Sequence, residues 1–203
     1  MFCVQLNLIY NICEYNKKGL FTMLKPQDIV ILFKLLILKK QQKPYLSIGL
    51  MAEELFMSAA EVHSAVYRLQ SSRLLSYTKN KKVKDVEFML SHIIELLFHG
   101  FKYVYPAEIG KIVRGVPTAM SASVIKELFV VSGLSDEYVW PYEFGDARGQ
   151  SLEPLYKTVP KAVKIDKELY EFLSLLDVVR IGKLRERKTA EELLRRKIQE
   201  SFN

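Results

Sequence analysis

Residues 47–77, SIGLMAEELFMSAAEVHSAVYRLQSSRLLSY, constrain the fold more than any other stretch of this 203-residue chain. Ser47 is placed to cap a short helix whose apolar positions Leu50, Met51, Ala52 and Leu55 share one face. Phe56-Met57 then makes a tight connection. Ser58 caps a second helix, and Glu61 follows three residues later at the spacing of a capping box. Val62, Val66 and Leu69 recur at helical spacing as its buried stripe. The small Ala52 and Ala65 let the two helices approach closely. The turn position commonly given to glycine holds Phe56, for which a left-handed backbone is more costly.

Two short helices joined in this way also occur in ordinary helical bundles. The next residues favour a more specific arrangement. Leu74-Leu75-Ser76-Tyr77 reads as a short strand, and Thr78–Lys84 is a basic loop placed where the tip of a wing would lie. The outer face of the second helix carries Ala59, Ala60, His63, Ser64, Tyr67, Arg68 and Ser71, small or hydrogen-bonding groups that suit a major groove. On that reading Ser58, His63, Ser64, Tyr67 and Arg68 face bases, with Arg68 the one strong base reader. Arg73, Lys79, Lys81, Lys82 and Lys84 hold phosphates. A winged helix that grips a protein partner instead of DNA is the alternative.

Charge is unevenly spread over a chain of net charge +7. Residues 59–85 hold six basic and two acidic groups, and residues 177–197 hold eight basic and four acidic groups, a net of +4 each. Residues 86–176 carry a net of −3. Clustered positive charge is what phosphate binding requires. For the loop, with four lysines in six residues and no intervening acid, phosphate contact is favoured. In Arg185–Lys197 acids and bases interleave, so a solvated helix face explains them equally well.

Several classes find no support. No window offers about 18 uncharged apolar residues, so no transmembrane helix is expected. Residues 1–22 lack the positive start and cleavage site of a secretory signal, and read as a dispensable extension ahead of a module that begins at Met23. Cys3 and Cys13, the only cysteines, lie in that extension, which fits a reducing, cytoplasmic setting. His92 and His99 share a helix face without a carboxylate or thiolate to complete a metal set, and one core and one surface histidine is the expected state. There is no glycine-rich phosphate loop, nucleophile elbow or HExxH. No enzyme and no cofactor are expected.

Gln27–Lys40 is predicted as a first, amphipathic helix, and Tyr45-Leu46 as a short strand against the wing. Val86–Phe101 has apolar residues at nearly every helical phase and is predicted as a buried spine joining two parts. Residues 103–160 hold five of the seven prolines and read as loops and short helices, including Ala122–Val131. Asp166 caps a helix over Lys167–Ile181, which Gly182 ends, and Leu184–Ile198 is the last helix. The fold class expected is mainly α: a winged helix-turn-helix over 23–85, then a helical, loop-rich C-terminal domain over 86–203.

The 47–77 segment resembles the winged helix-turn-helix of MarR-like bacterial regulators. The strings RGVPTA (114–119), EPLY-KTVP (153–160) and DVVRIGKLRER (177–187) resemble the C-terminal domain of proteins encoded beside nucleotidyltransferase-like toxins of the AbiE abortive-infection type. The resemblance spans about residues 23–198. It implies a DNA-binding autorepressor and antitoxin whose partners are double-stranded DNA, the toxin and, as an inverted-repeat binder, a second copy of itself. Arg180, Arg185 and Arg187 flank Gly182 at a helix junction, either locking the two terminal helices or meeting an acidic partner, with locking favoured. Arg114 and Arg148 each precede a glycine and are expected to cap loop carbonyls or contact the partner.

Overall fold

A computed structural model describes residues 23–42, 47–77, 86–128 and 137–202. The extension 1–22, Tyr45-Leu46 and the loop lysines 79, 81, 82 and 84 lie outside the described residues.

The centre is α1 (Pro26–Lys40), whose residues from Asp28 to Leu38 are all buried. The expectation of an amphipathic helix is corrected. Ile29–Leu38 is apolar at every helical phase except Lys34, and such a helix needs cover on every side. Cover comes from α3 (Ala59–Ser71) and from α7 (Lys167–Ile181). The Phe33 and Phe172 rings stack at 4.9 Å between centroids. Lys34 keeps its charge by pairing with Glu54 of α2 (Ile48–Leu55) and with Asp166 at 2.6 Å. Burial pulls its ammonium pKa down, but these two carboxylates outweigh that and hold it above the ordinary lysine value.

After α3 the chain forms β1 (Leu75–Tyr77) and β2 (Val86–Phe88), paired antiparallel with Ser76 opposite Glu87. The expected spine therefore starts later than predicted, because residues 86–88 belong to this ladder. It runs as α4 (Leu90–Glu95), a π-helical turn (Leu96–Gly100) and α5 (Phe101–Val104). Ile93, Leu97, Phe98 and Phe101 are buried. Ser91, His92, Glu95 and His99 are exposed, so the segment packs on one side and both histidines face solvent.

The loop-rich expectation for 103–160 is also corrected. β3 (Ile109–Thr118), β4 (Tyr138–Pro141) and β5 (Ala147–Leu152) each pair with the other two: β3 antiparallel to both, β4 parallel to β5. Within 122–128 the chain makes a 3-10 turn over Lys126–Leu128 instead of the expected helix. Glycine permits the tight closure. A Cβ on Gly115 would lie 2.1 Å from the Trp140 carbonyl oxygen, and one on Gly149 would lie 2.5 Å from that of Glu137. A short α6 (Val159–Ala162) leads to α7 and α8 (Leu184–Glu200). Asp166 caps α7 by accepting from the Leu169 amide at 3.0 Å. Gly182 ends α7 in an extended conformation, not the left-handed one, and is needed because a Cβ would meet the Val178 carbonyl oxygen at 2.5 Å.

One hydrophobic core runs through both halves of a mainly helical molecule. Among the described residues no helix is long and apolar enough to cross a membrane.

Candidate nucleic-acid interface

The two capped helices form as the side chains dictate. Ser47 accepts from the Leu50 amide at 3.2 Å, and Ser58 accepts from the Glu61 amide at 3.1 Å. Phe56 takes the left-handed conformation between them, with φ 53° and ψ 39°. The Met57 amide closes the turn on the Ala52 carbonyl oxygen at 2.9 Å. A non-glycine residue in this region is strained by about 1–3 kcal/mol and persists only where its surroundings hold it. Two interactions from the far end of the chain do so. Thr158 Oγ1 donates to the Leu55 carbonyl oxygen at 2.8 Å, and Lys161 Nζ sits 3.9 Å from the centroid of the Phe56 ring.

The inner face of α3 is Val62, Ala65, Val66, Arg68 and Leu69. Arg68 is the clearest departure from expectation. It turns inward and is 6 % exposed. Its Nε lies 2.8 Å from Asp28 Oδ2, its Nη2 lies 2.7 Å from Asp28 Oδ1, and the same Nη2 reaches Glu61 Oε1 at 2.7 Å. Asp28 is fully buried and also accepts from the Lys25 amide at 2.8 Å. An arginine so bound cannot read a base, and it fixes α3 to α1 instead. The hydrogen bonds it donates to Asp28, offset in part by burial, raise the guanidinium pKa further.

The outer face keeps the rest of the predicted set. Ser58 and Ser64 are exposed, and His63 and Tyr67 are half-buried at its edges. Arg73 is exposed at φ 57°, just ahead of β1, and its carbonyl oxygen accepts from His92 Nδ1 at 2.9 Å. The four predicted loop lysines fall outside the described residues.

The remaining arginines divide. Arg114 Nε donates to the Gly145 carbonyl oxygen at 2.7 Å, so it does cap a loop carbonyl, while Arg148 is exposed on β5. Arg180 Nη1 pairs with Asp177 Oδ1 at 2.7 Å, and its guanidinium also donates to the carbonyl oxygens of Tyr105, Pro106 and Glu153. It fastens α7 to the chain on either side of the sheet, not to α8. Arg187 lies 3.6 Å from Glu191 on its own helix and Arg185 is exposed. The link from α7 to α8 that was expected of these arginines is made by Lys197 and Glu171.

Asp177 is the one buried acid that invites a catalytic reading. Its Oδ2 accepts from Thr118 at 2.9 Å and from Trp140 Nε1 at 2.7 Å. Burial pushes its pKa up, against the pull of Arg180, Thr118 and Trp140. At 2 % exposure, with donors on both oxygens, the carboxylate has no open side for a substrate. It joins two of the strings singled out in the sequence, since Thr118 lies in RGVPTA and Asp177 and Arg180 lie in DVVRIGKLRER. Among the described residues no group of three acids, histidines or cysteines is placed to hold a metal ion.

Comparison with protein-family models, curated proteins and solved structures finds no match for this chain.

Proposed function

We propose that this chain is a DNA-binding transcriptional regulator in which α2, α3 and the β1–β2 ladder form a winged helix-turn-helix and α3 enters the major groove. The observation that carries the reading is the outer face of α3. Ala59, Ala60, Ser64 and Ser71 are exposed there, with His63 and Tyr67 at the edges. Small side chains allow close approach to base edges, and the hydroxyl and imidazole groups supply donors and acceptors. The helix that presents them is held from behind by the Arg68–Asp28 pair. Lys79, Lys81, Lys82 and Lys84, which follow β1 in the sequence, supply phosphate affinity together with Arg73.

With Arg68 removed from the readout, each chain reads few bases strongly. A homodimer on an inverted repeat multiplies that modest specificity. The C-terminal resemblance extends the proposal to an autorepressing antitoxin of a cytoplasmic nucleotidyltransferase-type toxin, without catalysis or cofactor of its own. The alternative of a protein-interaction module draws on one observation. Tyr103, Val104, Ile109 and Ile112 lie within ten residues and are 74, 55, 49 and 46 % exposed.

A gel shift on DNA from upstream of the chain's own gene, against unrelated duplex, tests the proposal. Preferential binding that a His63→Ala/Ser64→Ala variant loses supports DNA reading through α3. Binding of a toxin-like protein with no shift of any duplex favours the interaction module.

A further inference from the structure

We infer that the turn carrying Lys157 and Lys161 is a second phosphate-binding element, seated beside the N-terminal end of α3. The inference rests on the proposal that α3 reads DNA, and names a part of the interface outside the winged helix itself.

The segment Leu155–Ile165, LYKTVPKAVKI, holds three lysines and no acid. Leu155, Val159, Pro160, Ala162 and Val163 are buried, while Lys157, Lys161, Lys164 and the terminal Ile165 are exposed. Buried anchors alternating with exposed cations make a fixed positive surface. Its position is set by two interactions at the helix-turn-helix: Thr158 with the Leu55 carbonyl oxygen, and Lys161 over the Phe56 ring. Phe56 is two residues before Ser58, the cap of α3, so the segment lies beside the start of the reading helix. A cation over an aromatic face keeps N–H groups directed away from the ring, where a phosphate oxygen can accept them.

Lys164 is engaged elsewhere, 3.6 Å from Asp146, donating to the Phe144 carbonyl oxygen and 5.5 Å from the Tyr142 ring centroid. Lys157 and Lys161 therefore carry the inference. Acids also lie nearby: Glu54 shares Lys34 with Asp166, Glu61 shares Arg68 with Asp28, and Glu53 and Glu153 are exposed acids flanking the site. The scale fits. A 13-residue helix is about 20 Å long, and the major groove is about 12 Å wide, so a basic element at the start of a groove-bound α3 reaches the phosphates bordering that groove.

The test is a salt series on the full chain, with upstream DNA and random-sequence duplex as probes. Lys157→Gln/Lys161→Gln is expected to lower the steepness of log affinity against log salt by about 1.8, about 0.9 for each phosphate no longer neutralised, equally on both probes. Lys157→Gln alone, which leaves Lys161 over the Phe56 ring, is expected to lower it by about half as much. Lys157→Arg/Lys161→Arg restores the wild-type slope. Lys111→Gln/Lys126→Gln, which removes the same charge from β3 and the 3-10 turn, leaves the slope unchanged. A wild-type slope in both glutamine variants, or an equal loss in the Lys111/Lys126 control, overturns this inference and leaves DNA reading by α3 standing. Failure of the wild-type chain to bind either probe overturns both.

Discussion

Arg68 lies on α3, the helix proposed to enter a DNA groove, yet its guanidinium is clasped by Asp28 forty residues earlier, with bonds of 2.7 and 2.8 Å. The pair is buried and bidentate, and it joins α3 to the central helix. Removing one partner of such a pair leaves an uncompensated charge in the core. Asp28→Ala is expected to cost about 3–5 kcal/mol in urea denaturation. Asp28→Leu/Arg68→Met, which replaces both charges with apolar groups, is expected to recover most of that loss. A double variant as unstable as the single one contradicts this role for the pair.

The same relationship separates stability from readout. Arg68→Met is expected to lower the melting temperature while leaving the order of preference among DNA sequences unchanged. His63→Ala and Ser64→Ala are expected to do the reverse, each costing about 1–3 kcal/mol of discrimination where it contacts a base. Binding to a panel of single-base operator variants checks both. A sequence preference abolished in Arg68→Met with stability retained would show that the arginine swings out to read DNA.

Glu61 links this network to pH. Burial pushes its carboxyl up, but hydrogen bonds from Arg68 and Gln27 outweigh that and hold it below the reference value of 4.5. A carboxyl lowered in the folded state adds stability above its unfolded pKa, and that stability is lost as pH falls through the folded value. Glu61→Gln is therefore expected to be less stable than wild type at neutral pH, with the gap closing below pH 4.5. Chemical denaturation across pH measures it, and a gap that widens in acid would contradict the assignment.

Asp177 and Arg180 predict a second weak point, on α7. Their side chains are 2 and 5 % exposed, and Arg180 is the only cation on the Asp177 carboxylate among the described residues. Arg180→Ala is expected to destabilise by about 3–5 kcal/mol and to loosen the segment around Tyr105 and Pro106, which hydrogen exchange would report. DNA affinity of the folded fraction should stay close to wild type.

Gly149→Ala is expected to cost about 1–3 kcal/mol, because the added methyl must displace the Glu137 backbone. Thermal unfolding checks this, and a neutral effect would mean that β5 and the backbone at Glu137 part easily.

Local rules made the helical parts legible. Ser47, Ser58 and Asp166 announce their helices because a side-chain oxygen reaches an amide three residues on, a relation visible in order alone. Leu75–Tyr77 was also legible as a strand, but the strands β3, β4 and β5 were not. Gly115 and Gly149 look like turn residues, but they are there because another backbone comes too close for a Cβ, and that backbone is distant in sequence. Arg68 misled for the same reason. Its helical phase placed it near the edge of the outer face, and only Asp28, on another helix, decides that it turns inward. The Lys157–Lys161 turn could have been suspected from the three lysines without an acid in residues 155–165, but not its place beside Phe56.

DNA binding is tested most directly by the affinity of the full chain for its own upstream DNA, against unrelated duplex, across a salt series, with Lys81→Glu/Lys82→Glu alongside. A DNA-reading α3 flanked by basic elements predicts tighter binding to the upstream DNA, a steep fall with salt, and near-complete loss of binding in the variant. No binding to either duplex at low salt would contradict it, and would turn attention to a protein partner on the C-terminal half.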